Sequence, residues 1–306
     1  MVSCKDFTYL SSNGQTHIHA VEWCPEGPIR GIIQIAHGIA EYVKRYDHFA
    51  RFLCAQGFLV VGNDHLGHGE SAEELGYWGD TAGWELAVGD MRKLFESTHA
   101  QHPDLPYFLF GHSMGSFLSR TYVIRYPHGL SGLILCGTGQ QPKALLNASR
   151  LMTGAEILLH GCNYKSEFLN RLAFGSYNKD IEPRFSVSDW ISRDRSVVQE
   201  YCRDLYCGYV PSAGMFRDLT EGIRFVSSPR NIRRMDKSLP VLFISGDKDP
   251  VGEYGRGVIR AWRSFLDAGM QDISIKLYHG ARHELINELN YEEVFADILT
   301  WLNEKI

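Results

Sequence analysis

The chain has 306 residues, of which 44% are hydrophobic, 12% aromatic and 22% charged, with 31 basic against 36 acidic side chains and a formal charge of −5. Length alone gives about two structural units, or one large domain carrying an insertion, and the ordinary globular composition excludes a disordered or low-complexity chain. The acidic balance argues against a partner gripped by its phosphate backbone, and apolar runs such as Gly57 to Gly62 fall far short of the ~20 residues of a membrane span, so neither nucleic acid nor an integral membrane role is expected.

In chain order, residues 6 to 24 read as a hairpin, because Tyr9-Leu10 and the alternating His17 to Trp23 flank the turn signal Ser12-Asn13-Gly14. Apolar runs of strand length follow: Ile32 to Ala36, Phe58 to Val61, Tyr107 to Phe110, Leu133 to Cys136, Val241 to Ile244 and Ile273 to Leu277. Continuous runs of this kind predict strands buried on both faces. Amphipathic segments between them, about 42 to 56, 83 to 101, 114 to 126, 252 to 268 and 291 to 305, predict helices. Alternation of the two predicts an α/β protein with a mostly parallel sheet covered on both sides.

That alternation lapses between about Gln140 and Val226. The expected organisation is therefore a core made of residues 1–139 and 227–306, with residues 140–226 inserted as a helical lid. The insertion is rich in aromatics, Trp190, Tyr201 and Phe216 among them. Most of its apolar side chains are expected to pack it onto the sheet, while some, with Leu145, Leu158 and Tyr209 as candidates, line whatever lies beneath.

The chemistry concentrates where the strand Tyr107 to Phe110 runs into Gly111-His112-Ser113-Met114-Gly115 and then into a helical pattern. Strand, Gly-x-Ser-x-Gly, helix is the arrangement that exposes a serine hydroxyl on a tight turn above a sheet, the two glycines removing side chains that would collide with neighbouring backbone. A serine needs a histidine base and a carboxylate to orient it. Asp249, in Gly246-Asp247-Lys248-Asp249-Pro250-Val251, is the candidate acid, with Asp247 as its competitor. His283 is the candidate base, with His279 the competing histidine. Both groups sit just past predicted strand ends, where parallel sheets form their crevices. The N–H of Met114 and that of Ile39, in Ala36-His37-Gly38-Ile39-Ala40-Glu41, are the candidate oxyanion donors, Gly38 allowing close approach. His112 stands beside the serine, and Glu41 and Arg45, four residues apart, are candidates for touching the alcohol end of a substrate.

Asp64-His65-Leu66-Gly67-His68-Gly69-Glu70-Ser71 gathers possible metal ligands, but its glycines and its place after a strand favour a structural loop, so neither metal nor cofactor is expected. The seven cysteines (Cys4, Cys24, Cys54, Cys136, Cys162, Cys202, Cys207) are odd in number, scattered and without a CxxC. They read as free thiols of a reducing compartment, and with no apolar leader after Met1 a cytoplasmic location is expected.

Taken together, His37-Gly38-Ile39-Ala40-Glu41 with Arg45-Tyr46, the run Asp64 to Ser71, Gly111 to Gly115, Gly246 to Val251 and Arg282-His283-Glu284 resemble the monoacylglycerol lipase and lysophospholipase branch of the α/β-hydrolase family, a serine aminopeptidase S33-type group. Asp189 to Asp194 and Cys207-Gly208-Tyr209 look like bacterial members. The resemblance implies an eight-stranded sheet with one antiparallel strand, a helical cap after the sixth strand, no cofactor, and hydrolysis of acyl esters. Tyr42 and Ile286 depart from it, since eukaryotic monoglyceride lipases carry histidines at both places. The expected function is a serine ester hydrolase acting on a small acyl ester or lipid, as monomer or homodimer, with transient membrane contact through the cap. An amidase, aminopeptidase or thioesterase using the same triad is the alternative, and a non-enzymatic ligand-binding hydrolase fold a remote third.

Overall fold

The computed structural model describes residues 2–306. The opening hairpin pairs β1 (Ser3–Leu10) with β2 (His17–Cys24), antiparallel and in register from Ser3 opposite Cys24 to Leu10 opposite His17. Six parallel strands follow: β3 (Gly31–Ala36), β4 (Phe58–Asn63), β5 (Tyr107–His112), β6 (Gly132–Cys136), β7 (Val241–Gly246) and β8 (Ile273–Tyr278). The sheet has eight strands in the order β1-β2-β4-β3-β5-β6-β7-β8, and β2 runs against β4, so one strand points the other way, as expected.

Alternate residues of the central strands feed two separate cores. On one face Ile33 and Ile35 of β3 pack with α1 (Asp47–Ala55) and α10 (Tyr291–Asn303), through Phe49, Leu53, Phe295 and Trp301. On the other, Ile32 and Ala36 join α2 (Gly83–Gln101), α3 (Met114–Arg125) and α9 (Arg256–Asp267), through Met91, Phe117 and Phe265. Burial on both faces is why these strands lack alternation in the sequence. Strand β8 departs from that expectation: it is a half-exposed edge, and its Lys276 reaches Glu293 and Asp297 on α10.

Two predicted helices begin later than their apolar patterns. Glu253, Tyr254 and Gly255 all have positive φ (50°, 56° and 86°), a backbone that no α-helix tolerates, so α9 starts at Arg256 rather than near 252. Before α1, Val43–Tyr46 form a 3₁₀ turn instead of α-helix, following Ala40 at φ 54°.

No strand of the sheet lies between β6 and β7; that stretch holds α4 (Lys143–His160), α5 (Glu167–Phe174), α6 (Arg195–Arg203) and α7 (Ala213–Val226), before the short α8 (Pro229–Ile232). Helix α7 packs against α2, α3 and α4. Ser166, Asp194 and Ser212 accept backbone N–H bonds that start α5, α6 and α7.

The chain passes from β3 to β4 on one side and then to β5 on the other, so strand order reverses at β3. In parallel sheets such a point opens a crevice beyond the carboxyl ends of the two flanking strands. Here those ends carry the loop 37–42 and the Ser113 turn. The first turn of α3 lies hard against the end of β3: a Cβ built on Gly115 would sit 2.0 Å from the Ala36 carbonyl oxygen and 2.5 Å from that of His37. Gly115→Ala should therefore lower the urea-unfolding free energy by about 2 kcal/mol or more, the cost of overpacking against backbone that cannot move aside; an unchanged midpoint would remove this close approach as a constraint.

Candidate active site

Ser113 occupies φ 51°, ψ −120°, a strained backbone for a residue with a side chain. Its N–H donates to the Cys136 carbonyl at 2.9 Å, and the Ser116 N–H and hydroxyl both donate to the Ser113 carbonyl, at 2.9 and 2.6 Å. These bonds hold the turn in that shape. A Cβ on Gly111 would fall 2.5 Å from the Gly115 carbonyl oxygen, so the turn closes only around glycine.

Beyond β8, the His283 Nδ1 meets Asp249 Oδ2 at 2.9 Å. Asp249 has no exposed surface; its other oxygen accepts the Val251 N–H at 2.9 Å, and the Ser245 hydroxyl lies 3.3 Å from Oδ2. With Nδ1–H facing a carboxylate, the Nε2 of His283 is the ring nitrogen left for a substrate or nucleophile. Burial works against charge on this imidazole, but attraction and hydrogen bonding to Asp249, with Glu284 and Glu41 beyond, hold its pKa above the ordinary histidine value. The rings of His112 and Trp190 flank it, at centroid distances of 4.6 and 5.0 Å. The competing pair lies elsewhere: His279 and Asp247 bond each other at 2.9 Å in an exposed turn, where Asp247 also accepts the Gly280 N–H.

In the loop after β3, Glu41 accepts the Gly38 N–H at 2.6 Å and the Tyr46 hydroxyl at 2.9 Å. Arg45 donates to Glu41 at 2.6 Å and grips Glu284 with two bonds of 2.7 Å, its guanidinium also facing the Tyr201 ring. All three charged groups are nearly buried. Glu284 follows His283 directly, so one arginine joins the loop of Gly38 and Ile39 to the loop of the histidine. Burial raises the Glu41 pKa, whereas for Glu284 the same desolvation is outweighed by Arg45, which lowers it. The sequence predicts Glu41 and Arg45 as an i,i+4 helical pair; they pair, but across a turn and underneath the site. His37 completes the loop. Its Nε2 accepts the His65 N–H at 2.9 Å, so the Nδ1 that meets the Gly38 carbonyl at 2.7 Å is the protonated one. That bond turns the Gly38 carbonyl inward and leaves the Ile39 N–H facing the opposite way, since the two are trans across one peptide. Among the described residues, neither the Ile39 nor the Met114 N–H has a backbone acceptor.

Ser113 and His283 open on a cavity of about 560 Å³ that is roofed by the helical segment. Of the candidate site residues, Gly38, Ile39, Glu41, His112, Met114 and Leu145 border it. Phe117 and Val251 from the core, and Met152, Phe174, Phe216 and Ile223 from the helical segment, make its wall strongly apolar. Three candidates do not reach it. Arg45 is turned away toward its two carboxylates. Leu158 is 87% exposed on the outer face of α4, since its apolar neighbours Ile157 and Met152 take the inner one. Tyr209 instead packs on His68, ring centroids 5.9 Å apart. Glu284, Trp190 and Tyr201 also border the cavity, although the sequence reading proposed none of them as a site residue. Glu284 had a local signal, an acid beside the candidate base, whereas Trp190 and Tyr201 were marked only as aromatics of the insertion.

The run Asp64 to Ser71 folds as a loop in which Asp64 accepts the N–H groups of Val43 and Glu70. His37, His65 and His68 cluster there with pKa values lowered by burial, that of His68 to about 4. Asp6, His19 and Glu70 lie close enough to share a cation, but Lys44 already pairs with both carboxylates at 2.7 and 3.0 Å, a poor setting for a metal ion.

A serine held on a strained strand-to-helix turn over a mixed eight-stranded sheet defines an α/β hydrolase. The chain belongs to the Hydrolase_4 family, described as serine aminopeptidase, S33, which it matches over residues 27–290. It is 30% identical to a monoacylglycerol lipase of Mycolicibacterium smegmatis over 92% of this chain and 90% of that one, and 27% identical to the rat monoglyceride lipase over 100% and 93%. Its fold is similar to the crystal structure of a thermostable carboxyl esterase from Bacillus coagulans in complex with glycerol, with a TM-score of 0.92, 30% identity and 99% of each chain covered. At the level of the family, the chain is a hydrolase among lipases and esterases.

Arg45→Met should lower stability by about 3 kcal/mol or more in urea unfolding, because two buried carboxylates lose their counter-charge. An unchanged unfolding free energy would show that the ion network is not a structural tie.

Proposed function

We propose that the protein is a serine ester hydrolase that cleaves acyl esters through an acyl-enzyme, with residues 140–226 acting as a cap over the acyl chain. The Ser113 Oγ attacks the acyl carbonyl while His283 Nε2 takes the hydroxyl proton. The carbonyl oxygen, now anionic, is stabilised by the N–H groups of Ile39 and Met114. As the carbon–oxygen bond to the alcohol breaks, the imidazolium returns its proton to the leaving alkoxide. Water then attacks the acyl group, losing a proton to His283, and as the bond from the acyl carbon to Ser113 Oγ breaks the imidazolium returns that proton to Oγ, releasing the carboxylic acid and restoring the serine. Asp249 keeps the imidazole in the tautomer that leaves Nε2 free and stabilises the cation formed in each step.

The observation that carries this reading is the convergence of Ser113 and the Asp249-bound His283 on one cavity with apolar walls. Such walls suit an acyl chain, with few polar groups to fix its carbonyl end. The lipase and esterase relatives support the same bond class. An aminopeptidase has to hold an ammonium group with carboxylates. The cap acids Asp180, Glu182, Asp189, Asp194 and Asp204 are all absent from the cavity wall. Asp189 is engaged by the Phe185 and Ser186 N–H groups, and Asp204 by the Tyr42 hydroxyl. The carboxylates that do border the cavity, Glu41, Glu284 and Glu253, are already paired, the first two with Arg45 and the third with Arg260, which favours esters over peptides.

Hydrolysis of p-nitrophenyl esters from acetate to palmitate, with fluorophosphonate labelling, tests the proposal. Turnover should peak at medium or long chains, and Ser113→Ala should lose both labelling and at least about 10⁴-fold in kcat while keeping its fold. Near-normal kcat in that variant sinks the assignment. Only neutral His283 can accept a proton, so its raised pKa places the acid limb of kcat/KM above the ~6.5 of an ordinary histidine. Removing the facing charge in Asp249→Asn should cut kcat by about 10⁴. An acid limb below pH ~6 in the parent would contradict the role given to His283.

A further inference from the structure

Arg120 is fully buried on α3, about two helical turns beyond Ser113, and among the described residues no carboxylate pairs with it. Burial alone works against its charge. A cation held this way is costly unless its donors are well used. Its Nη1 donates to the Gly139 carbonyl at 2.8 Å, and its Nη2 to Gln140 Oε1 and the Val226 carbonyl, both at 3.1 Å. Gly139 and Gln140 are where the chain leaves the sheet toward α4. Val226 is the last residue of α7, where the chain returns.

Among the described residues, Arg120 is the one side chain that hydrogen-bonds both junctions. The first has further ties, since Arg260 donates to the Gln140 carbonyl and the Ser264 hydroxyl to its amide oxygen. The second has Asn231, whose amide donates to the Phe225 carbonyl at 2.9 Å, but among the described residues Arg120 is the only side-chain donor to the Val226 carbonyl itself. The two helices that start and end at these junctions are themselves joined, Ser149 to Thr220 at 2.9 Å, and both line the cavity, as does Phe117 of α3; the part of the cavity bordered by these three helices is called its arm.

We propose that Arg120 is a positioning residue for substrate selection: by clamping the two junctions of the helical segment to the helix that follows the nucleophile, it sets the width of the arm that receives the acyl chain. The inference rests on the ester-hydrolase reading only for what fills the arm. An acetyl group does not need the arm, whereas a long chain does. A residue that merely filled the core would affect both substrates alike.

Arg120→Met removes the clamp and Arg120→Lys keeps the charge with a single ammonium that cannot span the three acceptors. In Arg120→Met, amide exchange of residues 139–146 and 223–228 should quicken at least about tenfold while β5 and β6 stay protected. KM for p-nitrophenyl dodecanoate should rise about tenfold, with kcat/KM for the acetate ester within about threefold of the parent, and Arg120→Lys should fall between the two. An equal fall on both esters, or junction exchange unchanged in both variants, overturns the proposal. Should Arg120→Met not fold, the same comparisons on Arg120→Lys decide it. Exchange is measured without substrate, so a parent protein that turns over no ester defeats the hydrolase reading while the clamp stands or falls on exchange.

Discussion

One guanidinium holds the working parts of the site in register. Arg45 bonds Glu41, which in turn holds the Gly38 N–H, and it grips Glu284, the neighbour of His283. The loop that presents the Ile39 N–H and the loop that presents the imidazole belong to β3 and β8, far apart in the chain and separated by three strands in the sheet. Neither loop is regular structure, and each would drift without a tether. A charged tether between buried partners is strong because leaving any one of the three ions alone in the interior is costly. Its position beneath the cavity rather than in it also explains why Arg45 cannot serve a substrate directly.

The parts of the fold that follow from periodicity were legible in the sequence. The continuous apolar runs became strands β3 to β7, and the 83–101 pattern became α2 with the same limits. The candidate triad was legible for a different reason: Ser113, Asp249 and His283 each stand at a strand end, and β-strand signals are local. Less legible were contacts made between distant segments. Glu284 reaches Arg45 across 239 residues, and nothing in either local pattern announces it. Arg120 looks like one more polar residue on an amphipathic helix, because its acceptors are backbone carbonyls, which carry no sequence signature. Within 140–226, composition announced an apolar interior but not which side of α4 would face it, and so Leu145 reaches the cavity while Leu158 points outward.

The cavity and the polar machinery divide their tasks between two layers. In the proposed reaction the sheet loops supply donors, base and acid, fixed by backbone bonds and by the ion network. The helical segment supplies shape, through side chains on α4 and α7 that touch no catalytic atom. A layer of this kind can change its lining without disturbing the chemistry below. That separation accords with relatives of about 27–30% identity that carry the names of both lipases and esterases.

The left-handed backbone at Ser113 has a consequence for how such a chain can age under selection. Glycine adopts φ near 50° without penalty, so the most relaxed residue at this position is one with no hydroxyl at all. Durability and reactivity thus pull in opposite directions at a single dihedral. A lineage freed from the need to turn over substrate, and kept only for its shape, would be expected to drift toward the unstrained residue and to gain heat resistance as it lost the hydroxyl proposed as its nucleophile.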